Sequence, residues 1–464
     1  MRALILFIIL GCSLPLRATT IEIALFNYQE GKFSEAYKAF QELAAIGNTK
    51  AQFNIGVMYA RGEHVETDFA ESWAWFKLTE MNQGDDVQKI INLLESKMTD
   101  QNKTKAIQRF EQLRESHSNE AIAQRYLPQN EATESSSFKT ARKILSVQAR
   151  YPSRMLNRGF SGAVDVEFMI DKDGTVRYPS VLASTNAAFS DASITAILKN
   201  RYEPAMLDGK PVHEYGRRMR FVFNMEGAEI NYKKVEKIFN PLKEKAETGG
   251  GSDKYQYAYT VSMVLTMGNY MDEENSLQLD NPNSWFSKAA QDGFSPAKYE
   301  LGKRLAYGKY CAVDTNKAFF WLEQAAEQGL AEAQLMLGLE YLSGVRTTKD
   351  PVKGLDLIKK AADKGYDHAS LRFGLIVSTK TELNPKELSL AKSFFEKVNE
   401  KDYPDSLSYY ETAATLYYAV GEKKKAQKMC KKGLKAANER ELEAVRITKI
   451  ITAIESDQRY IEAI

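Results

Sequence analysis

Residues 289–308 read "AAQDGFSPAKYELGKRLAYG", residues 325–344 read "AAEQGLAEAQLMLGLEYLSG", and residues 361–380 read "AADKGYDHASLRFGLIVSTK". They recur every 36 residues: Gly293, Gly329 and Gly365 fall in register, as do Gly302, Gly338 and Gly374, Gly308 and Gly344, Asp314 and Asp350, and Trp285 and Trp321. Near the N-terminus, "AAIGNTKAQFNIGVMYARG" (44–62) sets Gly47, Gly56 and Gly62 at the same relative offsets. Fixed spacing at several independent positions marks a repeat architecture. In each unit the Ala-Ala pair ends one helix on a face that admits a close neighbour. The glycine after it suits the left-handed position at a helix C-terminus. The mid-helix glycine costs about 1 kcal/mol of propensity, which close contact between helices explains. Units that cannot bury their faces alone stack into a solenoid.

Composition sets the wider frame. The chain has 464 residues, enough for two or three units. Apolar residues make up 44% and charged residues 27%, ordinary for a globular protein, and the net charge of +2 gives no case for a nucleic-acid binder. A mean hydropathy of -0.43 argues against an integral membrane protein. The apolar stretch Ala3 to Leu16 is the exception. As a helix it reaches roughly 21 Å, short of a hydrocarbon core of about 30 Å. It reads as a secretory signal (1–18) cut after Ala18. Two alternatives stand beside it: lipidation of Cys12 in Ile9-Leu10-Gly11-Cys12, and an uncleaved anchor. Cys311 and Cys430 lie more than three repeats apart and read as two buried thiols, because a disulfide needs Cα atoms within about 7 Å.

The repeat residues resemble the SEL-like repeat, a relative of the tetratricopeptide repeat, over roughly 22–82 and 281–380. That family implies protein–protein scaffolding and no chemistry. Residues 86–116 read as two amphipathic helices, with Ile90, Leu93 and Leu94, then Ile107, Phe110 and Leu113, on their faces. Degenerate helix pairs follow from 391 to about 440.

One stretch breaks the helical pattern. "GAVDVEFMIDKDGTV" (162–176) alternates apolar and polar residues, turns at Asp173-Gly174, and starts again: a β-hairpin. The segment reads helix, strand 162–170, strand 175–183, helix 188–200, strand 215–224. A polar linker (126–140, containing "NEATESSSFKT") precedes it, and "AETGGGSDK" (246–254) after it reads as a flexible joint. Tyr151-Pro152, Gly162, Val164-x-Val166, Asp173-Gly174, Tyr202-x-Pro204, Gly209 and the closing Phe221-x-Phe223 resemble the TonB C-terminal domain. The fold expected is therefore mostly α: a helical solenoid with an inserted α+β TonB C-terminal-like domain at 141–228. Around it stand helical repeats at 19–125, a joint with helices at 229–280, repeats at 281–380 and degenerate repeats at 381–464.

The resemblance implies recognition of a short extended segment of an outer-membrane transporter by β-augmentation, in which a guest strand adds to an open sheet edge. The implied contact residues are Tyr215, Arg217, Arg218, Arg220, Phe221 and Phe223 on the last strand, with Gln148, Tyr151 and Pro152 before the first helix. The three arginines read equally well as attraction for an acidic guest or as charge that blunts an exposed edge. A periplasmic adaptor of a Gram-negative bacterium is expected, with the head on an envelope protein and the repeats on a second, unidentified one. The alternatives are an accessory energy transducer working with an ExbB–ExbD-type complex, and an envelope regulator that has lost guest binding. Asp171-x-Asp173-Gly174 opens like a calcium loop but lacks the later Glu, Gly249-Gly250-Gly251 lacks the Lys of a phosphate loop, and the four histidines show no metal spacing. No catalytic residue, metal, cofactor, small-molecule substrate or nucleic acid is expected.

Overall fold

In a computed structural model of the protein, residues 19–83, 87–129, 138–160, 162–223, 232–265, 280–400, 403 and 405–461 are described. The signal reading, Cys12, most of the polar linker and the end of the last strand at Asn224 lie outside them. The 36-residue period becomes two helices per repeat, as in Thr315–Glu327 with Ala331–Ser343 and Pro351–Asp363 with Asp367–Thr379. The periodic aspartates are helix caps: Asp314 and Asp350 accept from the backbone N–H of Lys317 and Lys353. Gly293 and Gly329 close their helices at φ +88° and +87°. The mid-helix glycines are contact points. A Cβ on Gly302 would lie 2.7 Å from Leu322, and one on Gly338 2.7 Å from the Gly354 carbonyl.

The chain divides into two compact units, one from Leu14–Ser136 and Asn231–Leu330, the other from Ser137–Ile230 and Ala331–Ile464. In the first, helices from both sides of the insertion share one core, where Phe40, Leu43 and Ile55 join Trp285, Phe286 and Trp321. Asn48 Nδ2 donates to Asp292 at 2.8 Å, and Trp321 Nε1 to the Tyr126 carbonyl at 2.7 Å. The three glycines expected to be a flexible joint form a packed corner between helices Tyr232–Thr248 and Gly251–Leu265. A Cβ on Gly251 would meet the Phe294 side chain at 2.8 Å, so close approach is their purpose. The helices Gln88–Lys97 and Asp100–His117 form as expected, and of the expected face residues Ile90, Leu94, Phe110 and Leu113 pack inward. Leu93 and Ile107 are more than half exposed, while Ile91, Leu94, Ala106 and Leu113 turn inward. Cys311 and Cys430 are free thiols, the first half-buried and the second buried.

The second unit holds the β-module and the helices from Ala331 to Glu455. The strands are β1 (Arg142–Leu145), β2 (Gly162–Ile170), β3 (Val176–Ser184), β4 (Arg201–Glu203), β5 (Ala205–Leu207), β6 (Lys210–Val212) and β7 (Glu214–Phe223). β2 is the centre of an antiparallel sheet of order β3-β2-β7, and β1-β4 and β5-β6 are two small ladders. One sheet face carries Val164, Val166, Phe168, Phe221 and Phe223, which pack on helix Ala187–Lys199 through Phe189, Ile194 and Ile197.

The other face is polar, and the repeats bury it. Arg177 of β3 meets Glu411 at 3.3 Å; Glu411 also meets Arg446 at 3.3 Å; Arg446 reaches Asp171 at 3.4 Å. His213 lies 3.0 Å from the same aspartate. Tyr178 sits at φ +50° where β3 carries one residue more than β2 between the pairs Glu167↔Ser180 and Met169↔Arg177. A β-bulge accounts for that twist. The twist turns Tyr178 onto the repeats, where its N–H approaches Asp405 at 3.4 Å and its hydroxyl accepts from Arg372 at 3.2 Å. The docking contacts oppose the cost of a left-handed tyrosine, on the order of 1–2 kcal/mol.

His368 lies beneath this contact, with rings of Tyr178, Tyr366 and Tyr403 around it and Nδ1 2.7 Å from the Tyr403 hydroxyl. Burial holds its imidazole down to about 4, against the attraction of Asp405 and Glu167. A folded value below the unfolded one, about 6.5, stabilises the fold fully above pH 6.5. That stability is lost as the pH falls from there through 4, by about 3 kcal/mol in all. Urea unfolding between pH 7.5 and 4.5 should show this decline, and His368→Gln should flatten it. An unchanged slope in the variant would assign the decline to other groups.

Candidate functional site

One face of the central sheet packs on its own helix and the other meets the repeats at Arg177 and Tyr178, so its edges are the larger part of what it can offer. Among the described residues β7 pairs with β2 alone and no strand borders its outer side. Hydrogen-bond direction follows from one contact. Thr185 N donates to the Ala163 carbonyl at 3.1 Å, so residue 163 points its backbone at β3. Backbone direction alternates along a strand, so Gly162, Val164 and Val166 point theirs at β7, opposite Phe223, Phe221 and Met219. The N–H and C=O groups of Arg218, Arg220 and Val222 therefore face outward. These are the groups a guest strand would pair with.

The expected contact residues fall into three sets. Tyr215, Phe221 and Phe223 are buried, the last stacked on Phe189 with ring centroids 4.5 Å apart. The side chains of Phe221 and Phe223 build the module's core, Tyr215 packs beside His213, and only their strand serves the edge. Tyr151 stands edge-on to Phe189 and Phe223, and Pro152 caps the short helix Ser153–Leu156. Gln148 is exposed in the segment whose Val147 and Ala149 pack on the same core as Met219. The segment before Tyr151 thus packs on the same core as β7.

The arginines are engaged inside the sheet. Arg220 lies opposite Asp165 in the ladder and donates to both its carboxylate oxygens, at 2.6 and 2.7 Å. Arg218 lies opposite Glu167 at 2.8 Å, and Arg217 reaches Glu214 at 2.7 Å. Asp165 is only 5% exposed, so its charge requires a partner. Cross-strand neutralisation of buried carboxylates is a role that neither sequence reading named. Sequence reasoning also missed Val222, half exposed, and Phe160 and Leu156, all apolar on the module's surface. The alternation of β7 carries a signal for Val222: it is the apolar residue on the basic side of the strand.

Two family matches cover parts of the chain: the Gram-negative bacterial TonB protein C-terminal domain over residues 147–225, and the Sel1 repeat over 49–79, 295–330 and 331–366. The chain carries a TonB C-terminal-like domain embedded among Sel1-type repeats. Among solved structures, it is similar to a Sel1 repeat protein from Oxalobacter formigenes (19% identity, 44% of this chain and 82% of that one, TM-score 0.35). It is similar also to a protective antigen of uropathogenic Escherichia coli displaying an SLR fold (15%, 90% and 85%, TM-score 0.24). A third is a Pseudomonas aeruginosa protein, PA5086 (18%, 37% and 76%, TM-score 0.22). Nothing among curated proteins matches the chain. Among the described residues no helix is long and apolar enough to cross a membrane.

Removing Arg220 leaves Asp165 with less compensation for its burial. Arg220→Ala should lower the unfolding free energy by about 1–3 kcal/mol, and the double change with Asp165→Ala should cost less than the sum of the two singles. Additive losses in urea titrations would show the pair to be uncoupled.

Proposed function

We propose that the protein is a periplasmic adaptor: the TonB-like module takes an extended segment of an outer-membrane transporter or another envelope protein onto the outer edge of β7, and the Sel1-type repeats hold a second protein. The observation that carries this reading is the outer side of β7, which no strand borders among the described residues and toward which the backbone groups of Arg218, Arg220 and Val222 point. β-Augmentation needs little more than such an edge and neighbouring side-chain surface to choose among guests. Val222, Phe160 and Leu156 supply apolar surface on the module. Since Arg218 and Arg220 already neutralise Glu167 and Asp165, guest choice rests on apolar side chains more than on acidic ones. Export with removal of the leader is part of the proposal. Intact-mass measurement of the protein from the envelope fraction should give a chain starting near Thr19, and a retained Met1 would refute it.

Backbone direction makes the edge testable. Val222→Pro removes an outward donor and leaves the β2 ladder whole, whereas Met219→Pro removes an inward one. The full-length Val222→Pro protein should keep its circular dichroism and melting transition. It should lose affinity for TonB-box peptides, and for segments cross-linked to the protein in cells, by about tenfold or more. Met219→Pro should destabilise the module outright. A folded Val222→Pro protein that binds as tightly as the parent rules out this edge.

A further inference from the structure

We propose that the outward face of helix Lys423–Glu439 is an electrostatic docking surface for an anionic lipid bilayer. The helix carries seven lysines against one glutamate, in a chain whose net charge is only +2. Its register sorts them. Ala426, Cys430, Gly433 and Ala437 are buried and hold one side of the helix against its neighbours. Lys424, Lys428, Lys431 and Lys435 repeat the same steps of four, three and four residues, two residues out of phase. At about 100° per residue they stand on the opposite side, in a line of about 16 Å. All four are exposed.

The fold does not account for this stripe. The lysines on the flanks each have a carboxylate: Lys425 has Glu422, Lys423 meets Asp457 at 2.6 Å, and Lys432 meets Glu400 at 2.7 Å. On the stripe, Lys424, Lys428 and Lys431 form no ion pair among the described residues. Lys428 acts on Glu400 only through its field, and Lys435 has the exposed Glu439 at 3.7 Å. Like charges three or four residues apart repel and weaken a helix. An external anionic surface relieves that repulsion. The chemistry of the partner follows from what the stripe lacks. None of the exposed large apolar side chains lies on this helix, so it offers no anchor of the kind protein partners bury. Lysine is a compact charge on a flexible stem, without the fork of a guanidinium that fixes a single carboxylate. Both traits suit a plane of many mobile phosphate headgroups, where each lysine contributes separately, about fivefold in partition. This proposal does not depend on guest binding at β7.

Sedimentation of the mature protein with phosphatidylcholine vesicles, alone or mixed with equal parts of phosphatidylglycerol, tests it. The protein should partition onto the charged vesicles and be released by salt, which screens exposed charges. An acyl anchor would hold both vesicle types alike, so the readout is the difference between them. The joint variant Lys424→Gln, Lys428→Gln, Lys431→Gln and Lys435→Gln should lower the partition by a factor on the order of several hundred, the product of four such contributions. The same loss of charge at exposed Lys38, Lys103, Lys210 and Lys386 should lower it several-fold at most. The stripe variant should melt no lower than the parent, because it removes repulsion and touches none of the buried side. A stripe variant that partitions like the parent, or melts well below it, overturns the proposal. Equal partition onto neutral and charged vesicles does the same. So does saturable binding of oligoglutamate by a protein that ignores both vesicle types, which would make the partner an acidic protein.

Discussion

The ion network Arg177–Glu411–Arg446–Asp171 holds the second unit in its arrangement. It joins the end of a β-hairpin to two helices more than 200 residues further along the chain. Glu411 has 1% of its side chain exposed and is shared by two arginines. Taking such groups from water costs several kcal/mol per ion, and mutual attraction offsets this only when every partner is in place. The contact is therefore selective more than it is strong: one register of module against repeats satisfies it, and others strand a charge. Tyr178, twisted out of its strand, fits the same single register.

This docking decides what the sheet can do. A three-stranded sheet normally has one face against its own helix and one toward solvent. Here the repeats meet the second face at Arg177 and Tyr178, which leaves the strand edges and end loops as the module's larger accessible surface. Lys199 with Glu441, at 2.6 Å, and Arg201 with Glu443, at 3.3 Å, extend the contact to the rim, where exposed pairs contribute little. Recognition at an edge needs a strand that keeps its shape while unpaired on one side. The cross-strand pairs Asp165–Arg220 and Glu167–Arg218 and the stacked Phe189–Phe223 provide that rigidity.

Much of this was legible in the residues. The 36-residue period fixed the helix pairs because each repeated position answers a local demand: a cap at Asp314 and Asp350, a left-handed close at Gly293, a helix contact at Gly302. The first two strands of the module fell within one residue of their expected ends, at 162–170 and 176–184, and the last began within one residue of its expected start, at 214. The failures share a cause: they depended on partners distant in sequence. Alternation in β2 and β3 separates an apolar face from a polar one, and does not reveal that Arg177 and Tyr178 meet helices about 200 residues away. Three consecutive glycines have one composition whether they bend freely or pack, and Phe294 decides the matter. Leu93 and Ile107 satisfied a helical period as Leu94 and Leu113 did, but Ile91 and Ala106 took their places against the core. At the candidate edge, the strand was legible and the direction of its backbone groups was not, since that direction follows from pairing.

The interruption of the first unit by the module has a consequence for how the protein acquires its structure. Helices before residue 127 share their core with helices after residue 232. A chain emerging from the ribosome or threaded through a membrane pore presents the first set long before the second exists. Until the rest arrives, the side chains of Phe40, Leu43 and Ile55 lack the Trp285, Phe286 and Trp321 that complete their core. Closing so long a loop is a late and comparatively slow event. The early segment is correspondingly prone to non-specific association during that interval. Maturation is thus the stage at which the core of the first unit stays longest exposed, independently of any partner bound once the chain is folded.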